Sequence, residues 1–209
     1  MKEFFKKIIF SNINKKVKNE PLSEKFEIKE ILKNLVISNI NNWVDKDIYA
    51  ISLFVYDEND NPCKPTVTLG YNTETHFNEE LSNASNEQEA RWNYAFWLQN
   101  EFLCFGIGET AKEVKVWLKN KQLPFYDDDD EAWDDDATYD KVEVIIKLFI
   151  DELVEVVKEI HQSGFLTQKF GKELPIIIHE LEYYDEIAEQ NIKANGRVLL
   201  EDFVDFCRG

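Results

Sequence analysis

The sequence predicts a single α+β domain in which several helices cover a small, mainly antiparallel sheet. Three observations lead to this prediction: two strand-like runs separated by a turn, a later Ile-rich run, and helical apolar periodicity in much of the remaining chain. The 209 residues are 44% apolar and 13% aromatic, which is enough to fill one core. We divide the chain into a basic N-terminal arm or helix at 1–22 and one domain at 23–209, with an acidic loop at 126–140.

The first half of the domain predicts a helix, a hairpin and an aromatic helix, in that order. Apolar residues at helical spacing predict a helix over 23–44. Segments 47–57 and 65–72 are rich in β-branched and aromatic residues and predict two strands joined by a turn. Ser85, followed by a Gln three residues later, resembles a capping box and predicts a helix over 85–100.

The second half predicts helices around one further buried strand. The stretch EFLCFG predicts a short strand or an extended link, and Thr110 resembles the start of another capped helix. The longest helical pattern begins near Val142 and ends at Gly164. The run of Ile in 174–184 predicts a third strand, and two short helices close the chain.

The charge of the chain restricts its partners. The net charge is −17, although residues 1–20 hold six Lys against two Glu. A strongly acidic body argues against binding to nucleic acids and to anionic membranes, and it favours either a basic protein partner or solubility alone. The three cysteines are not clustered, and no signal peptide or membrane span is predicted, so a cytoplasmic protein is expected; the oligomeric state stays open.

No catalytic residue, metal site or cofactor is predicted. Counted from Asp127, the sixth and twelfth positions of a calcium loop would be Ala132 and Thr138, which do not match its Gly and Glu. The three histidines are far apart, so no zinc-ligand spacing occurs. Cys104 and His179 lie in apolar stretches, where a core position is the more common role. The sequence therefore predicts a protein that is not an enzyme.

The acidic loop YDDDDEAWDDDATYD has two interpretations. One is an inert, solvated connection between two helices. The other is a partner-binding surface, in which carboxylates attract a basic protein and aromatic rings provide buried anchors. We favour the second, because long loops inside compact domains are often functional. The predicted partner-binding residues are Tyr126, Asp127, Asp128, Asp129, Asp130, Glu131, Trp133, Asp134, Asp135 and Asp136.

Three stretches resemble a known bacterial family of uncharacterised domains: PTVTLGYNTE, ASNEQEARWNYAFWLQNE and LPIIIHELEYYDEIAEQNIKANG. Members of the family that the chain resembles are small cytoplasmic proteins encoded near polymorphic secreted toxins. The resemblance implies an immunity-type inhibitor that binds a cognate toxin. The aspartate run lies outside the shared pattern, which suits a variable loop specific for one partner.

The residues that carry the resemblance are expected to be structural. They are Arg91, Trp92, Asn93, Trp97, His179 and Glu182. In particular, Arg91 is expected to pair with Glu180 or Glu182. The leading hypothesis is a non-enzymatic inhibitor of a basic toxin, for example a nuclease. The alternatives are an enzyme or small-ligand sensor with a pocket near Arg91, His179 and Glu182, or a regulatory scaffold.

Overall fold

The computed structural model describes residues 27–126 and 136–209 and confirms the predicted α+β domain. The helices are α1 (Ile28–Asn41), α2 (Glu74–Glu80), α3 (Glu87–Trp92), α4 (Ala111–Asn120), α5 (Asp136–Gln162), α6 (Phe165–Phe170), α7 (Asp185–Asn195) and α8 (Glu201–Arg208). The strands are β1 (Ile48–Asp57), β2 (Pro65–Thr73), β3 (Leu103–Phe105) and β4 (Ile176–His179). Short 3-10 turns occur at Glu58–Asp60, Tyr94–Phe96, Gly108–Thr110 and Arg197–Leu200.

The four strands form one sheet in the order β3-β2-β1-β4. The predicted hairpin is present: β1 and β2 are antiparallel, with Phe54 opposite Thr68. Strand β3 is antiparallel to β2, so the sheet is mainly antiparallel, as expected. Strand β4 is parallel to β1, with His179 beside Phe54. The carboxyl ends of β1 and β4 therefore lie at the same edge of the sheet.

The two faces of the sheet are covered differently. Because side chains alternate along a strand, Ile51, Leu53 and Val55 of β1 share one face, and they belong to the main core formed with α1, α5 and α6. On the opposite face, a second core packs α3, α7 and α8 around Tyr49 and Ile177. None of the described helices combines the length and apolarity needed to cross a bilayer.

Helix α7 covers the outer edge of β4 with two asparagines one turn apart. The Asn191 amide accepts from the Ile178 N–H at 2.8 Å and donates to the Ile178 carbonyl at 2.7 Å. Asn195 makes the same pair of bonds with Ile176, at 2.8 and 2.9 Å. Each side-chain amide thus replaces the peptide of a missing neighbouring strand, which closes an edge that could otherwise pair with another chain.

The predicted continuous helix over 85–100 is wrong. Helix α3 ends at Trp92, and Asn93 is extended, with φ −79° and ψ 119°. The Asn93 side-chain oxygen accepts from the Ala95 N–H at 3.0 Å and starts a 3-10 turn instead. An Asn side chain that bonds to nearby backbone competes in this way with the helical hydrogen bond.

Both predicted capping boxes are also wrong. The N-cap of α3 is Asn86, not Ser85, and its side-chain oxygen accepts from the Glu89 N–H at 2.9 Å. Thr110 makes no side-chain cap to α4. Its hydroxyl donates instead to the Ile107 carbonyl at 2.9 Å.

Candidate functional site

The start of the acidic loop is held against the turn between β1 and β2. Tyr126 is half-buried, and its carbonyl accepts from the Asn61 side-chain amide at 3.1 Å. Asn61 is itself buried and fixed by the Cys63 N–H at 2.9 Å. Asp136 is the first residue of α5. The other predicted partner-binding positions, Asp127, Asp128, Asp129, Asp130, Glu131, Trp133, Asp134 and Asp135, lie outside the described residues.

Carboxylates gather where the parallel strands β1 and β4 end. Burial, together with the nearby charges of Glu180 and Asp60, raises the pKa of Asp57 to about 6. The Asp57 Oδ1 atom is buried without a hydrogen-bond partner in the described part of the chain. Burial also raises the pKa of Glu180. The charged forms of Asp57 and Glu180 are therefore disfavoured at this end of the sheet in the isolated protein.

Three half-buried rings form a row on the face of the sheet opposite to the one that Val55 and Asp57 share. We define the aromatic row as Tyr56, Phe54 and Tyr94. The Phe54 ring lies 5.5 Å from Tyr56 and 5.0 Å from Tyr94 between centroids, and both pairs are stacked. Burial raises the pKa of Tyr56, a hydrogen bond with Thr68 opposes that shift, and the nearby Cys104, Glu101 and Glu58 add to it. Glu101 lies near this surface, because its carboxylate is 4.0 Å from the Sγ of Cys104, which is 3.7 Å from the Thr68 hydroxyl.

These carboxylates can be treated as one surface feature. The acidic rim consists of Asp57, Glu58, Asp60, Glu101 and Glu180. In the described ranges, ion pairs form elsewhere, for example between Lys121 and Glu152, and none includes a member of the rim. The rim thus carries negative charge that no described Lys or Arg neutralises by direct contact.

His179 lies behind the aromatic row in the buried interior. Its Nδ1 is 3.0 Å from the Glu180 carbonyl, and its Nε2 is 2.8 Å from the Ser52 hydroxyl. A carbonyl can only accept, so Nδ1 carries the proton and donates, and Nε2 accepts from Ser52. Burial lowers the pKa of His179 to about 4, so the ring is neutral near pH 7.

A serine hydrogen-bonded to a histidine can in principle act as an activated nucleophile. Here Ser52 is 2% exposed and His179 is 1% exposed, so neither can meet a substrate in this conformation. No local sequence pattern indicates this pair, because the two residues are 127 positions apart. In the folded protein the bond satisfies two buried polar groups.

Arg91 pairs with Glu74, so its predicted pairing with Glu180 or Glu182 is wrong. Its two terminal nitrogens donate to the two Glu74 oxygens at 3.1 and 2.7 Å. Its guanidinium carbon lies 4.3 Å from the Tyr49 ring centroid. The pairing differs because α2, which carries Glu74, follows β2 directly, whereas Glu182 is exposed.

The remaining motif residues surround the same backbone. The indole nitrogen of Trp97 and the hydroxyl of Tyr49 both donate to the Arg91 carbonyl, at 2.9 and 2.5 Å. Trp92 packs edge-on against Tyr49 and Phe203. The structure therefore places Arg91, Trp92, Asn93, Trp97 and His179 in or beside the second core and leaves Glu182 at the surface.

No group of three His, Cys, Asp or Glu residues in the described ranges is arranged to hold a metal ion. Comparison of the chain with family models, curated proteins and solved structures finds no significant match. The functional proposal therefore depends on the geometry of the chain itself.

Proposed function

We propose that the protein is a non-enzymatic cytoplasmic binding protein, an immunity-type inhibitor that engages a basic protein such as a nuclease toxin. The observation that supports the proposal most directly is the group of carboxylates around the turn between β1 and β2, where the acidic loop begins. The hydrogen bond from Asn61 to Tyr126 holds the chain against this turn directly before the stretch 127–140, which contains nine carboxylates.

Such a surface would act first on the rate of encounter. Carboxylates at one end of a protein attract a basic partner over about 10 Å at ordinary ionic strength. Once bound, they would occupy the groove in which a nuclease holds phosphates, while Trp133 would supply a buried anchor. Inhibition would then result from occlusion and would need no cofactor.

The enzyme alternative is less well supported. An enzyme or ligand sensor of this kind would need Arg91, His179 and Glu182 to converge on one ligand. Arg91 is already engaged by Glu74, His179 is buried against Ser52, and Glu182 is exposed. The three side chains serve different contacts.

The test measures how fast the protein associates with the purified product of the reading frame next to its gene. Stopped-flow fluorescence monitors the association. We expect the association rate to fall steeply as NaCl rises, because exposed charges are screened. A variant with Asp127–Asp130 and Asp134–Asp136 changed to Asn and Ser should associate more slowly and depend less on salt.

A matched control removes seven exposed carboxylates elsewhere, at Glu79, Glu87, Glu109, Glu186, Glu201, Asp202 and Asp205. It should leave the rate nearly unchanged. If the loop variant kept the affinity and the salt dependence of the natural protein, the proposal would be wrong.

A further inference from the structure

We infer that the aromatic row and the Glu101 carboxylate near it form a docking site for an arginine side chain of a basic partner protein. This inference rests on the proposed function, since it assigns the chemistry of the partner at a described surface. It differs from that function in depending on residues of the folded domain and not on the acidic loop.

The aromatic row is rigid before any partner arrives. Phe54 belongs to β1, which is paired on both sides, by β2 and by β4. The Tyr94 backbone N–H donates to the Tyr183 hydroxyl at 3.1 Å, and the Tyr94 ring lies 4.7 Å from the His179 ring. A preorganised aromatic surface binds at a small cost in conformational entropy.

The row is also partly exposed and negatively charged at its outer end. Tyr56, Phe54 and Tyr94 each retain some exposure. The exposed Glu101 carboxylate lies 4.0 Å from the Sγ of Cys104, and Cys104 pairs with Thr68, which lies opposite Phe54. A guanidinium stacked on these rings would gain a cation–π contact and could reach Glu101. Among the described residues, the cations that lie over rings, Arg91 and Lys115, contact rings outside the row.

The same molecule shows what this combination of groups binds. The Arg91 guanidinium lies over the rings of Tyr49 and Phe77, at 4.3 and 4.8 Å, while Glu74 holds both terminal nitrogens. The aromatic row with the Glu101 carboxylate offers the same two components, ring faces and a carboxylate, at the surface. Arginine fits them better than lysine, because its planar group stacks and donates two parallel hydrogen bonds.

The test uses acetyl-tri-arginine amide as the probe, and its binding is monitored by ¹⁵N–¹H NMR titration. The tri-citrulline peptide is the matched control, since citrulline keeps the shape of arginine without its charge. We expect tri-arginine to shift the amide signals of Phe54, Tyr56 and Tyr94, tri-lysine to bind more weakly, and tri-citrulline to leave the signals unchanged.

Two substitutions locate the site. Tyr56→Leu should weaken tri-arginine binding about fivefold, the loss expected for one exposed cation–π contact, whereas Tyr56→Phe should retain it. Glu101→Gln should also weaken binding, and at an exposed position it leaves the fold intact. Glu109→Gln, at an exposed site away from the row, should have no effect.

The titration is carried out in the loop variant described above, which separates the two proposals. The docking site is supported if tri-arginine still binds the loop variant and no longer binds once Tyr56→Leu is added. This result supports the docking site even if no toxin binds the natural protein. Equal binding of tri-citrulline, or unchanged affinity in both Tyr56→Leu and Glu101→Gln, would overturn the docking site. That outcome would leave the role of the acidic loop to its own kinetic test.

Discussion

At the scale of single residues, burial acts in opposite directions on Asp57 and His179. It disfavours the charged form of each, so it raises the pKa of the carboxyl to about 6 and lowers that of the imidazole to about 4. The sequence places Asp57 at the end of one predicted strand and His179 in the middle of another. It does not show the parallel pairing that buries His179 against Ser52 and sets Glu180 beside Asp57, so neither shift could be predicted.

The Asp57→Asn variant should be more stable than the natural protein near neutral pH. The folded pKa of Asp57, about 6, lies above its ordinary value of 3.8, so the native state holds a proton that the unfolded state releases. Stability is therefore lost as pH rises from about 4 to about 6. Allowing for solvent screening of a partly exposed group, the variant should gain ~1–2 kcal/mol at about pH 7.5.

Urea unfolding of both proteins at about pH 7.5 and about pH 4.5 checks this expectation. The advantage of Asp57→Asn should shrink at the lower pH, where Asp57 is protonated. The opposite titration of His179 is common to both proteins and cancels in the difference. Glu109→Gln controls for the loss of one surface charge, and an advantage independent of pH would contradict the assignment.

At the scale of elements, local pattern predicted the hairpin well and the aromatic helix badly. Segments 47–57 and 65–72 were predicted within one residue of β1 and β2, because alternation and turn residues act locally. The helix over 85–100 failed because Asn93 diverts the backbone and Trp97 turns back to bond the Arg91 carbonyl. The parallel neighbour of β1 comes from more than 100 residues later, beyond any local pattern.

The two asparagines of α7 cover the outer edge of β4 and keep it from pairing with another chain. The Asn191→Ala substitution tests this role. The substitution removes bonds to the Ile178 N–H and carbonyl and leaves a buried donor unpaired. We expect a loss of ~2–3 kcal/mol, because a buried group without a partner keeps its full desolvation cost. Urea unfolding measures the loss.

Hydrogen exchange at the Ile178 amide gives an independent reading and should accelerate in the Asn191→Ala variant. Asn41→Ala, at an exposed position in the last turn of α1, is the matched control. If unfolding were unaffected and Ile178 stayed protected, the side-chain amide would not be what closes the edge of β4.

At the scale of the whole molecule, composition predicts a basic partner, but it does not predict where the carboxylates lie in the folded protein. The net charge of −17 argues for a basic partner from the sequence alone. The rim is assembled from three separate parts of the chain: the end of β1 with its turn, the segment before β3, and the residue after β4. Only the folded topology brings Glu58 and Glu180 to one end of the sheet, whereas the backbone of Glu101 lies level with Tyr71 of β2.

The same charge should make the free protein more stable in salt. Like charges repel in the compact state, and raising NaCl from about 0.02 M to about 0.5 M screens them. We expect the thermal midpoint to rise by about 2–4 °C, which corresponds to ~1 kcal/mol for a chain of this length. The loop variant, which lacks part of the negative charge, should gain less.

Choline chloride at equal ionic strength should give the same rise in the thermal midpoint, because screening does not depend on the identity of the cation. A much larger rise in MgCl₂ at that ionic strength would contradict simple screening and would indicate that the carboxylates bind a divalent cation.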